Sequence, residues 1–206
     1  MLKIENVSLK IKNKVLIKGL SFKVKKGEIN VLTGPSGTGK SSLLSAILGF
    51  IPLTEGGIVY NDLILNSDTA LEIRKHTAWL PQQTDLGINT VYDTIYEPFS
   101  FHLNQNIKPS INDIKEKLSI LNLPYNILET KYKRISGGEK QKILILICVL
   151  LKRRFLFLDE PTSALDKNSK KQVFQLLKSQ NNSVILSCSH DKDWINYCDN
   201  IINIEK

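Results

Sequence analysis

Two stretches hold residue types whose spacing suits phosphate chemistry. Gly34-Pro35-Ser36-Gly37-Thr38-Gly39-Lys40-Ser41 fits a glycine-rich loop ending in Lys-Ser. Glycines let backbone N–H groups turn inward around phosphate oxygens. Lys40 is expected to reach the β- and γ-phosphates of a nucleoside triphosphate, and Ser41 to bind Mg²⁺. Ser42 is grouped with the loop as a further contact at the start of the next helix, whose N-terminus adds partial positive charge. The second stretch is Phe155-Leu156-Phe157-Leu158-Asp159-Glu160. Its apolar residues predict a buried strand, and its carboxyl end then presents two acids where ligands bind in open α/β sheets. Asp159 suits a Mg²⁺ ligand, and Glu160 suits a general base for water. Two acids alone need only end a strand; beside a phosphate loop they supply the missing half of its chemistry.

These residues need a frame. Residues 2–9 and 15–24 alternate apolar and polar, as half-buried strands do, and Lys25-Lys26-Gly27-Glu28 reads as a turn. Ile29–Thr33 is a short buried strand entering the glycine loop, and a helix over 41–50 follows, stopped by Pro52. Gly56-Gly57 reads as a turn before a strand at 58–60; a short helix at 71–76 and a strand at 77–80 come next. Residues from about 84 to 150 lack strand patterning and read helical at 90–103, 110–122 and 137–152. Beyond them lie a strand at 154–158, a helix at 167–179 with Val173, Leu176 and Leu177 on one face, and a strand at 183–187. A helix at 192–198 and a strand at 200–204 complete the pattern. Strands alternating with helices predict an α/β fold with parallel strands at its centre, interrupted by a helical insertion.

A third motif, Ile135-Ser136-Gly137-Gly138-Glu139, is by itself a loop and helix cap. In this order with the other two, it makes the chain resemble the nucleotide-binding subunit of an ATP-binding cassette (ABC) transporter over nearly its whole length. The resemblance implies an α/β P-loop NTPase fold of ABC type, with a mixed central sheet, an antiparallel N-terminal β region and an inserted helical subdomain. It implies one domain over 1–206, with a core of 1–83 and 154–206 and a helical subdomain of about 84–153. The implied ligands are ATP and Mg²⁺. Ser136 and Gly138 would cap the γ-phosphate of ATP held by a second copy, in a head-to-tail dimer with ATP sandwiched between subunits. Trp79-Leu80-Pro81-Gln82 resembles the loop whose glutamine meets Mg²⁺ and the attacking water, with Gln82 preferred over Gln83. Asp166, closing Ser163-Ala164-Leu165-Asp166, belongs to the segment that crosses to the partner, and His190 resembles the histidine that contacts the γ-phosphate. His76 and His102 are expected to be structural or surface residues.

Some positions depart from the family pattern. Ile11 falls where an adenine-stacking aromatic is usual, and an aliphatic residue lacks the ring face, so weak base discrimination is expected. Glu139 replaces the usual glutamine, and Ile147 stands where an arginine is usual. The run Ile143–Leu151 is apolar throughout and is expected to be more fully buried than in relatives.

Composition sets the surroundings. The chain has 206 residues, 42% hydrophobic, and a formal net charge of +8, which suits anionic partners or a solvated lysine-rich surface. Cys148, Cys188 and Cys198 form no metal or disulfide framework and point to a reducing compartment. Lys3 and Glu5 interrupt any leader, and the longest apolar run is too short for a bilayer, which needs about 20 residues. The expected location is therefore the cytoplasmic face of the inner or plasma membrane, held peripherally by integral permease subunits. Val91, Tyr92, Ile95, Tyr96, Phe99 and Phe101 are candidates for that docking face. The alternative is a non-transport ABC ATPase acting on nucleic acid or ribosomes. No long insertion or second cassette supports it, and no specific nucleic acid is expected. The short chain and its motif variants resemble most the ATPase of small bacterial two-subunit exporters of the iron-export kind.

Overall fold

A computed structural model describes residues 1–12, 14–82 and 89–205. Strands β1 (Leu2–Ile11), β2 (Lys14–Val24) and β3 (Ile29–Thr33) lead into helix α1 (Lys40–Ile47). Then come β4 (Glu55–Tyr60), β5 (Leu63–Ile64), α2 (Ala70–Lys75) and β6 (Thr77–Leu80). The helical region holds α3 (Val91–Tyr96), α4 (Ile111–Ile120) and α5 (Gly137–Leu150). β7 (Phe155–Asp159), α6 (Lys167–Lys178), β8 (Val184–Cys188), α7 (Lys192–Tyr197) and β9 (Asn200–Asn203) follow.

The strands form two sheets rather than one. The antiparallel sheet runs β2-β1-β4-β5, and the parallel sheet runs β6-β7-β8-β3-β9. β3, β7 and β8 are nearly continuous apolar runs because both faces of the parallel sheet are covered. β2 alternates because only one face packs, and as an edge strand it carries exposed Lys14, Lys18 and Lys23. Such charges discourage pairing with another chain and account for part of the positive surplus. One apolar core joins the helical region to one face of the parallel sheet. The other joins α1 and the antiparallel sheet to the opposite face. Every residue from Lys142 to Leu150 of α5 is buried, as its unbroken apolar run predicts. The helix has no solvent stripe because it packs on β6, α4 and α6.

Three local expectations change. Gly56 and Gly57 lie inside β4, not in a turn before it. β1 passes so close that a Cβ on Gly56 would fall 2.3 Å from the Asn6 carbonyl oxygen, and only glycine fits there. The helix read at 90–103 stops at Tyr96; Pro98 then opens short 3₁₀ turns at Glu97–Ser100 and His102–Ile107. This change splits the candidate docking face. Val91, Ile95 and Phe99 are core residues, while Tyr92 and Phe101 stay exposed. The start assigned to the helical insertion, and Gln83, lie outside the described residues.

Candidate active site

The parallel strands deliver the site residues to one end of the sheet. β3 feeds the glycine loop, which wraps into α1 at Lys40. The loop is braced from within: Thr38 Oγ1 donates to the Pro35 carbonyl at 2.9 Å. Lys40 Nζ donates to the carbonyls of Gly34 and Pro35 at 2.8 and 3.0 Å. The ammonium therefore already lies across the loop that is to hold phosphate. A cavity of about 350 Å³ is lined by Leu16, Ser36, Gly37, Gly39, Lys40, Ser41, Ser42, Gln82 and Glu160. The loop, the glutamine and the second acid thus share one space, as their motifs suggest.

β7 brings Asp159 and Glu160 to the same end. Asp159 is buried, with the Ser41 hydroxyl close to its carboxylate. Burial pushes its carboxyl above the usual range, with Glu160 adding to the rise, while the Ser41 hydroxyl and Lys40 oppose it. Its Oδ1 is buried without a hydrogen-bond partner. An unpartnered carboxylate oxygen beside a serine hydroxyl fits an oxygen-liganded divalent cation such as Mg²⁺. Glu160 has a positive φ of 49°, a conformation a non-glycine residue holds only when its surroundings enforce it. Its N–H donates to the Cys188 carbonyl at 2.9 Å, tying it to β8. The carboxylate is fixed twice: Oε1 lies 2.7 Å from His190 Nδ1, and Oε2 accepts from Ser189 Oγ at 3.3 Å. His190 remains largely exposed, so its ring reaches outward from a buried acid.

Asp191, next to His190, caps α7 by accepting from Trp194 N–H at 3.1 Å. Lys170 of α6 pairs with Asp191, and with Asp193 at 3.3 Å. These bonds fix the start of α7 just after the histidine. His76 pairs with Glu72 at 3.1 Å on α2, and His102 is exposed in a 3₁₀ turn.

The other site residues lie elsewhere. Ser136 caps α5 in a reciprocal box: its Oγ accepts from Glu139 N–H at 3.2 Å, and the Glu139 carboxylate accepts from Ser136 N–H at 2.8 Å. Asp166 caps α6 by accepting from Ser169 N–H at 2.9 Å. Ser136, Gly138 and Asp166 do not line the cavity that holds the loop, Gln82 and Glu160.

Ile11 ends β1 paired with Lys14, which walls a second cavity beside the loop; Ile11 itself is not among that cavity's lining residues. That second cavity, of about 590 Å³, is walled by Lys14–Lys18, Gly37, Thr38 and Glu205. The pairs Leu9↔Ile17 and Lys10↔Val15 leave Leu16 as an extra residue on β2. This bulge re-aims the strand, and Leu16 lines both cavities. Alternation alone could not reveal Leu16, because a bulge interrupts the period that alternation relies on. Ser189 carries no motif of its own; its one sequence signal is that it directly precedes a histidine at the end of a buried strand.

With this geometry in view, the family pattern described as ABC transporter matches residues 17–163. The chain belongs to the ABC transporter family. As an ABC chain it is 30% identical over 208 residues to the probable iron export ATP-binding protein FetA of Escherichia coli, covering 100% of this chain and 91% of FetA. It is 32% identical over 199 residues to the energy-coupling factor transporter ATP-binding protein EcfA1 of Fusobacterium nucleatum, covering 94% and 74% of the two chains. The fold matches the dimeric ATP-binding cassette MJ0796, in a post-hydrolysis state bound to ADP and Pi, with a TM-score of 0.80 at 23% identity. That match covers 100% of this chain and 94% of the other. Among the described residues, no helix of this ABC chain is long and apolar enough to cross a membrane.

Proposed function

We propose that this chain is the Mg²⁺-dependent ATPase subunit of an ABC transporter, working as a head-to-tail dimer beneath separate permease subunits. The observation that carries the reading is Glu160. It lines the same cavity as the phosphate loop, and its carboxylate is clamped by His190 and Ser189. The loop N–H groups and Lys40 bind and orient the β- and γ-phosphates. Ser41, Asp159 and Gln82 would hold Mg²⁺, which supplies charge neutralisation on the phosphate oxygens. Glu160 accepts a proton from water as the water oxygen bonds to the γ-phosphorus. The bond from that phosphorus to the β–γ bridging oxygen breaks, leaving ADP and inorganic phosphate. His190 holds the Glu160 carboxylate in place and faces the γ-phosphate.

Ser136, Gly138 and Asp166 act on the nucleotide of the second copy. Their position outside their own chain's phosphate cavity supports that division. A γ-phosphate touched by both chains closes the dimer; once it is cleaved, the shared ligand is gone and the dimer reopens. The chain sits peripherally on the cytoplasmic face through its permease partners, and relatives named for iron export and energy-coupling transport support that class of assembly. Replacing Glu160 tests the reading. Glu160→Gln should abolish turnover while leaving Mg-ATP bound, and should accumulate an ATP-dependent dimer by light scattering. A variant that keeps hydrolysing, or stays monomeric in saturating Mg-ATP, rejects this mechanism.

A further inference from the structure

Lys142 is a buried cation outside the phosphate site. It lies on α5, less than two turns after the Ser136 cap. Its Nζ donates to the Leu121 carbonyl at the end of α4 and to Gln172 Oε1 on α6, both at 2.9 Å. Burying an ammonium is costly unless hydrogen bonds and charges compensate it, so these partners tie three helices at one point. Burial draws the ammonium below the usual lysine range, while Asp166 and Glu139 oppose that change. Both acids belong to helix caps, one at each segment assigned to the second nucleotide.

A second contact joins those segments directly. A Cβ on Gly138 would fall 3.1 Å from the Ala164 carbonyl oxygen and 3.6 Å from Leu165 Cδ2. The start of α5 therefore packs against the segment just before Asp166. That segment is continuous with the general base. Ser163 N–H donates to the Glu160 carbonyl at 3.3 Å, and Leu165 N–H to the Thr162 carbonyl at 3.1 Å.

We propose that Lys142 is a positioning residue that locks the Ser136–Gly138 and Ala164–Asp166 segments into one rigid joint. Through it, the grip on the nucleotide held by the second copy is transmitted to the chain's own Glu160. This rests on the split site proposed above. The gap at Gly138 sets how closely the two segments meet; the Lys142 tie keeps them from sliding.

The test uses the full chain in the Glu160→Gln background, where dimerisation is read without turnover. Lys142→Met should raise the Mg-ATP concentration for half-maximal dimer about five-fold or more, with same-chain ATP binding changed by less than about two-fold. Lys142→Arg should restore dimerisation, and Gln172→Leu should show a smaller shift in the same direction. With Glu160 restored, Lys142→Met should lower kcat. Dimerisation of Lys142→Met at the parent's ATP concentration overturns the proposal. So does a parallel loss of same-chain affinity and melting temperature in both the Met and Leu variants, which would mark mere structural support. A Glu160→Gln parent that never dimerises fails earlier, and takes the split-site reading with it.

Discussion

At Asp159, function and stability oppose each other. The carboxylate ends a buried strand with Oδ1 unpartnered, and burial raises its pKa. A buried polar atom left unpaired costs about 1–3 kcal/mol. The sign follows from the raised pKa. Between the unfolded and folded pKa values the native state binds more protons, so stability falls as pH rises through that window. The penalty is complete above the folded value and absent below the unfolded one. Asp159→Asn should therefore stabilise the nucleotide-free chain by about 1 kcal/mol at neutral pH, raising Tm by roughly 2–4 °C. The gain should vanish in acid melts, and Mg-ATP should no longer add its usual stabilisation. A Tm that falls at neutral pH would contradict the cost assigned to burying this charge.

At the scale of the helix, α5 explains why glutamate serves at a position where the family usually has glutamine. The Glu139 carboxylate accepts from both Ser136 N–H and Ser136 Oγ, each at 2.8 Å, so the acid completes the cap. It also favours the positive end of the helix. The same charge would face the γ-phosphate that Ser136 is proposed to bind, and it holds the hydroxyl proton that would point there. Glu139→Gln keeps an acceptor for the cap and removes the negative charge. It should leave melting within about 0.5 kcal/mol of the parent and lower the Mg-ATP needed for the trapped dimer. An increased ATP requirement in dimerisation assays would reject the electrostatic argument. This element was legible because Ser136 and Glu139 stand at cap spacing before an unbroken apolar run. The segment at 97–107 was not: its apolar residues keep a helical look, while Pro98 shortens the helix and turns part of the supposed docking face inward. The wall at Val15–Ile17 was hidden for another reason. A β-bulge leaves no mark in composition and shifts which residue faces the phosphate loop.

Over the whole molecule, the phosphate loop, Glu160 and His190 were readable because each sits at the end of a buried strand, where topology sends side chains to one edge. Which nucleotide Ser136 serves was not readable from spacing, since a single chain carries half of each proposed site. That division has a consequence for mixtures. Lys40→Ala should fail to hold its own ATP but still offer an intact Ser136 segment. Ser136→Arg should bind ATP on its own chain but offer a blocked cap. Neither variant alone should hydrolyse. In a mixed dimer, one site loses both contributions, while the other combines the intact loop of one chain with the intact cap of its partner. Random equal mixing makes half the dimers mixed, so turnover should recover to at most about a quarter of the parent's if sites act independently. Recovery well below that, with mixed dimers demonstrated by tagged copies, would mean that one damaged site restrains the other, as the Lys142 joint implies. Full activity of Ser136→Arg alone would show instead that each chain completes its own site, and the head-to-tail arrangement would fall.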